Sequence, residues 1–351
     1  MKTNTSLTGL LSILFLCLTL MVPACGPKVK IKHQPVQFSE APLPHGKDKF
    51  PNWPVPPDMV EGELYRAGVA MELEIKMIKR TAHGTAGAFR EDIYFPTIGK
   101  EVRFKFKKAI PGSLDSFNTS PRRELAAYQV QKFFLEPEDY VVPTSIAVCA
   151  PRDVYEKNHG YTAASVEGTT CVLGLASIWL ENLTVPNPLY EESRFLKEPN
   201  YAHFLSNLNL LTYLIAHRDA REGNFLVSKD EKRRQAFSID NGMSFGSWPR
   251  NYFSQNWDVI IVPALRKDSI DRLRQLQRRD LDVLGVVVQF QKDEKGILKP
   301  VSPSDNLDPK TGVRIQGGTV QLGLKKAEID DVWERIVSLI ADVDSGKIPV
   351  F

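Results

Sequence analysis

The chain has 351 residues, 42% of them apolar and 25% charged, an ordinary globular balance with ample material for a core. A formal net charge of +3, without a long block of Lys or Arg, gives no footing for a nucleic-acid partner. Of the four cysteines, Cys17, Cys25, Cys149 and Cys171, the last two lack metal-ligand partners at useful spacing, which argues against a zinc site.

The first elements read as an address. Lys2 supplies a positive start, and residues 10–22 form an apolar run of 13, suited to a secretory segment and short for a membrane span of about 20 residues. Val22-Pro23-Ala24-Cys25 follows and resembles the lipobox of bacterial lipoproteins. That resemblance implies a signal peptide over 1–24 and lipid on Cys25. An ordinary signal peptide, or a short anchor with Cys25 incidental, is the plainer alternative. Gly26 stands where an Asp would mark inner-membrane retention, so the outer membrane or cell surface is the expected destination. Residues 25–60 carry Pro27, Pro35, Pro42, Pro44, Pro51, Pro54, Pro56 and Pro57, which predicts an extended tether rather than packed structure. The folded body is expected from Glu61, as two lobes over 61–182 and 183–351.

Residues 75–106 read as β. Ile75-Lys76-Met77-Ile78 opens a strand, residues 81–88 turn through Gly84 and Gly87, Ile93-Tyr94-Phe95 returns, and residues 102–107 alternate with period two. Ser120 before Pro121 predicts a helix start with Ser120 as N-cap. Ala126, Val130, Phe133 and Phe134 form that helix's apolar face. Two strands over 145–150 and 170–175 carry Cys149 and Cys171, for which a bridge and two buried thiols are both open. Past Leu183 three stripes predict helices: Phe204, Leu208, Leu211 and Ile215; then Ile270, Leu273, Leu276, Leu281 and Leu284; then Ile329, Val332, Trp333, Ile336, Leu339 and Ile340. The expected class is α+β, with a β-rich front lobe holding one helix, a mostly helical back lobe, and a cleft between them.

Chemistry concentrates at His217-Arg218-Asp219, with Asn224 five residues after Asp219 and Asp240-Asn241-Gly242 sixteen residues beyond Asn224. By composition, His-Arg-Asp-x4-Asn arises by accident in about one chain in a thousand of this length. One carboxylate to take a proton, plus an amide oxygen and a second carboxylate to hold a divalent ion, is the set that phosphoryl transfer from a nucleotide requires. Taken singly, Asp219 reads as a loop residue, Asn224 as a turn Asn after Gly223, and Asp240 as part of an Asp-Asn-Gly hairpin turn. Residues 225–227 and 236–239 read as two strands presenting these groups, which favours the joint reading.

The order of a Gly-containing turn, a strand Lys, a helix Glu, Asp-x4-Asn and a late Asp-x-Gly resembles the protein-kinase-like fold. Closest is its atypical branch of secreted Golgi kinases, phosphatidylinositol kinases and related bacterial kinase-like proteins. Thr212-Tyr213-Leu214-Ile215-Ala216-His217-Arg218-Asp219-Ala220-Arg221-Glu222-Gly223-Asn224-Phe225-Leu226 lies in register with that branch's Asp-Tyr-Leu-x-Gly-Asn-x-Asp-Arg-His-x-x-Asn-x-Leu. Arg123-Glu124-Leu125-Ala126-Ala127-Tyr128, with Val142-Pro143 after it, resembles the branch's Glu-x-Ala-Ala-Tyr helix, and Phe104-Lys105-Phe106-Lys107 its Phe-Lys-Pro strand. The resemblance implies ATP with Mg²⁺ or Mn²⁺, Asp219 as catalytic base, and Asn224 and Asp240 as metal ligands. It implies Lys105 on the α- and β-phosphates and paired with Glu124, Gly84 and Gly87 lending backbone N–H groups to phosphate, and Trp179-Leu180-Glu181 as the hinge facing adenine. Lys107 shares a strand face with Lys105, and a solvated face is the plain alternative for both. Ala220-Arg221 replaces the branch's Arg-His, and Asn241-Gly242 replaces Phe-Gly.

An exported, lipid-anchored phosphotransferase acting on a protein or small-molecule acceptor is therefore the expected function. A kinase-like binding module without turnover is the alternative, and nucleotidyl transfer stays open.

Overall fold

The computed structural model describes residues 31–39, 49–62, 74–80, 88–96, 98–111, 114–115, 120–246 and 256–351. Residues 1–24, Cys25, Gly84 and Gly87 lie outside the described residues. Within them the protein is α+β, its sheets are antiparallel, and no helix is long and apolar enough to cross a membrane.

The front half is a five-stranded sheet. In chain order it runs β1 (Glu74–Arg80), β2 (Phe89–Phe95), β3 (Lys100–Lys108), helix α1 (Pro121–Gln131), β4 (Ser145–Pro151), helix α2 (Arg152–His159) and β5 (Cys171–Ile178). The sheet order is β1-β2-β3-β5-β4. Register decides what faces where: Glu91 pairs with Phe104 and Ile93 with Val102, so Val102, Phe104 and Phe106 go to one buried face. Arg103, Lys105 and Lys107 necessarily go to the other. A Cβ at Gly174 of β5 would lie 2.3 Å from the Phe106 ring, so only glycine lets that ring lie against the sheet.

Helix α1 starts at Pro121 as expected, but Ser120 does not cap it; the Ser120 hydroxyl donates to the Leu114 carbonyl at 2.9 Å. Its far end is held by Gln131, whose Oε1 accepts from the Val141 and Val142 N–H groups at 2.9 and 2.8 Å. Helix α2 is an addition to the expected single helix. It lays Tyr155 near Phe106 and His159 near Phe89, with ring centroids 6.0 and 4.1 Å apart. Cys149 and Cys171 form a disulfide across β4 and β5, which closes the question the sequence left open.

The expected tether is packed where it is described. Val36, Trp53, Val55 and Val60 are buried, and Gln34 N–H donates to the Pro263 carbonyl at 3.1 Å. Glu181 N–H donates to the Asn52 carbonyl, and Asn52 Nδ2 donates back to the Glu181 carbonyl, both at 2.9 Å. Proline bars these residues from a sheet ladder, but the apolar side chains between the prolines still find a core.

The back half continues with β6 (Leu183–Thr184), the short helix α3 (Glu192–Phe195), α4 (Pro199–Leu214), β7 (Phe225–Ser228), β8 (Ala236–Ser238) and α5 (Lys267–Arg274). After it come β9 (Val288–Lys292), β10 (Leu298–Val301), β11 (Val313–Gln316), β12 (Thr319–Leu322) and α6 (Lys326–Asp344). Strands β10-β9-β12-β11 make a four-stranded sheet, so the expectation of a mostly helical back half fails over 288–322. Val288-Gln289-Phe290-Gln291 and Thr319-Val320-Gln321-Leu322 alternate with period two. Gly317 and Gly318, at φ 58° and 82°, supply the left-handed turn that joins β11 to β12. Leu281 and Leu284 belong to a 3₁₀ segment over Arg278–Gly285, not to an extension of α5.

Candidate functional site

A cleft of about 580 Å³ opens against the cationic face of β3; Lys105, Lys107, Glu124, Trp179, Leu226 and Asp240 are among the residues that wall it. At its inner end Lys107 Nζ lies 3.0 Å from Glu124 Oε1 and 2.8 Å from Asp240 Oδ1. Three distant stretches thus meet at one ammonium group whose side chain is 6% exposed. Burial disfavours the Lys107 charge, yet Glu124 and Asp240 outweigh it and hold the group well above the usual lysine range. Burial likewise pushes the Asp240 carboxyl up, and Lys107 and then Lys105 pull it far below the usual carboxylate range.

Sequence resemblance pairs Glu124 with Lys105, whereas the partner observed is Lys107. Both lysines point to the same face, so alternation alone could not choose between them. Lys107 sits nearer the end of β3 that leads into α1, opposite Leu175 of β5. Lys105 remains in the cleft, and its charge still acts on Asp240.

Asp219 and Asn224 form a second cluster. Asn224 Nδ2 donates to the Asp219 carbonyl at 2.7 Å and to Asp219 Oδ2 at 2.9 Å, and Arg221 Nε lies 3.5 Å from Asp219 Oδ1. Neither Asp219 nor Asn224 walls the cleft itself. The β7–β8 ladder links the two clusters, and beyond it Ile239 N–H donates to the Asn224 carbonyl at 2.9 Å, one residue before Asp240. Asp240 follows β8 instead of turning the β7–β8 hairpin, which removes the hairpin-turn explanation for its Asp-Asn-Gly. Its backbone is left-handed, at φ 60° and ψ 50°, a conformation that a short polar side chain tolerates. Asn241 locks that bend, its Oδ1 accepting from the Ser238 hydroxyl at 2.6 Å.

The sequence assigned no role to the ring of His217. The ring is fully buried, and among the described residues neither of its nitrogens has a hydrogen-bond partner. Burial pushes the imidazole down to about 4, against the opposing charges of Asp219, Asp240 and Asp258. Asp219 and Asp240 therefore both act on one ring. Nothing in the motif's spacing signals this, because it depends on how residues 215–218 lie beside 243–245, bonded through Arg218 N–H to the Met243 carbonyl and Phe245 N–H to the Ile215 carbonyl.

Trp179, Leu180 and Glu181 line the cleft's edge, with the Glu181 backbone engaged by Asn52 on its other side. Among the described residues no group of three or more His, Cys, Asp or Glu could hold a metal ion. The Asn224 amide oxygen and the partly exposed Asp240 carboxylate are hard oxygen donors, the type that Mg²⁺ or Mn²⁺ takes. No protein-family model matches this chain, and no curated protein matches it.

Proposed function

We propose that the cleft binds ATP with a divalent ion and passes its γ-phosphoryl group to an acceptor hydroxyl, first of all on a protein, on a kinase-like scaffold. The observation that carries this is the buried Lys107 ammonium held between Glu124 and Asp240 at the wall of an open cleft. Ionic groups so arranged are costly to desolvate, and a scaffold without a ligand gains little from keeping them at a cavity's edge. The placement of α1 between β3 and β4 in sequence, with its Glu124 turned to a β3 lysine, supports the kinase-like reading.

In this reading Lys107 contacts phosphate oxygens and Glu124 aims it, while Lys105 adds positive charge farther along the cleft. Asp219 orients the acceptor hydroxyl and takes its proton, and Asn224 fixes the carboxylate through the 2.9 Å bond to Oδ2. Asn224 and Asp240 would hold Mg²⁺ or Mn²⁺, which when bound neutralises phosphate charge. The Cys149–Cys171 disulfide supports an oxidising compartment, in line with export and with lipid on Cys25. A binding module without turnover is the second reading. Arg221 favours it, because its guanidinium sits against the carboxylate that should receive the proton.

ATP with Mn²⁺ at a hundred times its Kd should stabilise the protein by about 2.7 kcal/mol in a thermal-shift titration. Asp240→Ala should abolish that response. Asp219→Ala should keep it and lose phosphoryl transfer by about 10²- to 10⁴-fold. A parent protein as silent as Asp240→Ala would overturn the nucleotide reading; full transfer by Asp219→Ala would overturn the assignment of the base.

A further inference from the structure

We infer that Glu328 is a positioning residue for the cleft: from the first turn of α6 it locks the first turn of α1, and so sets Glu124 against Lys107. Arg122 stands two residues before Glu124, and successive residues of a helix turn by roughly 100°. The two side chains consequently leave α1 on nearly opposite faces. Arg122 Nη1 donates to Glu328 Oε2 at 2.6 Å, Arg122 Nη2 to Glu328 Oε1 at 3.0 Å, and Arg123 Nη2 to the same oxygen at 3.3 Å. The Arg122 guanidinium has no exposed surface, and it reaches Glu328 across the backbone of Gly312, where a Cβ would lie 2.3 Å from Arg122 Nε. That is a built socket and not a chance surface pair.

Glu328 is itself fixed, since its Oε2 accepts from Lys325 N–H at 2.9 Å and closes the N-terminus of α6. Asp115 completes the socket, accepting from Arg122 Nε and lying 3.3 Å from Lys325 Nζ. A rigid helix gripped on two faces cannot rotate or slide without losing one grip. Neutralising Glu328 leaves the buried Arg122 with Asp115 as its one charged partner among the described residues, and the relief open to α1 is to move toward it, which withdraws Glu124 from Lys107. The consequence for turnover rests on the phosphotransfer proposed above, whereas the geometric claim does not.

The test compares the full-length protein with Glu328→Gln, the milder Asp115→Asn, and Ile336→Val, which thins the buried face of α6 without touching Arg122. Acylation of Lys107 by a water-soluble amine reagent, read by mass spectrometry without nucleotide, reports whether the ammonium is still enclosed. Glu328→Gln should label several-fold faster than the parent, Asp115→Asn in between, and Ile336→Val at the parental rate. Unchanged Lys107 labelling in a folded Glu328→Gln protein would overturn the inference, as would equal acceleration by Ile336→Val. If Glu328→Gln does not fold, Asp115→Asn against Ile336→Val decides on the same criterion. Where ATP is turned over, Glu328→Gln should lower kcat with little change in KM, and adding it to Glu124→Gln should cost nothing further. A parent that never turns over ATP would defeat the proposed function and leave the labelling result standing.

Discussion

Arg122 and Glu124 are neighbours on α1, yet the ionic clusters they enter are built differently. Around Arg122 four of the five N–H donors are spent, two on Glu328, one on Asp115 and one at 3.3 Å on the Gly323 carbonyl, with no exposed side-chain surface. Around Lys107 the arrangement is open, because Lys107, Glu124 and Asp240 all wall the cleft. The Arg122 cluster serves the fold, since the guanidinium at its centre has no surface left for a ligand. An open one leaves charge facing a space where another molecule can complete it.

Removing a partner from the closed cluster should therefore have the largest effect. Arg122→Met is expected to lose about 3–5 kcal/mol in urea unfolding, because Glu328 and Asp115 both lose the buried cation between them and Glu328 keeps, among the described residues, only the 3.3 Å ion pair with Arg123. A loss below about 1 kcal/mol would erase the contrast between the clusters.

A buried carboxylate whose partner among the described residues is a histidine gives the intermediate case. Glu91 Oε1 lies 2.9 Å from His159 Nε2, burial pushes the Glu91 carboxyl up to about 7, and burial with Lys108 pushes His159 down. Since the folded value is raised, the protonated carboxyl is the favoured native form. Stability is full below the unfolded value of 4.5 and falls as pH rises toward 7. At 1.36 kcal/mol per unit the fall is about 3 kcal/mol. Glu91→Gln should match the parent below pH 4.5 and exceed it by up to that amount above pH 7, read from unfolding curves across the range. Parallel curves for the two proteins would show that Glu91 titrates as a solvated carboxyl does.

The smallest change belongs to the open cluster. Asp240→Asn should shift unfolding by no more than about 1 kcal/mol, since asparagine accepts the left-handed backbone and Lys107 keeps Glu124. A loss equal to that of Arg122→Met would mean that Asp240 serves the fold first.

Much of the fold around the cleft was legible because its signals are local. Alternation located β3, Ser120-Pro121 located the start of α1, and the strands flanking Asn224 and Asp240 fell where expected. The choice of Lys107 over Lys105 was not legible, because period-two alternation gives a face and not a position along it. The sheet over 288–322 escaped notice because long apolar stripes on either side outweighed short alternating runs of mixed Gln and Val. Glu328 was hidden for a different reason. Nothing in a first-turn glutamate says that its partner lies 206 residues away.

The contact between Asn52 and Glu181 bears on where the protein can be trimmed. A fragment begun at Glu61 would discard Val36, Trp53 and Val55 from the core and both hydrogen bonds that brace the chain behind the cleft. Fragments meant for biochemistry should start no later than Ile31, the first residue of the unit that holds the cleft. A shorter one that lost activity would be reporting a missing brace, with the chemistry itself untouched.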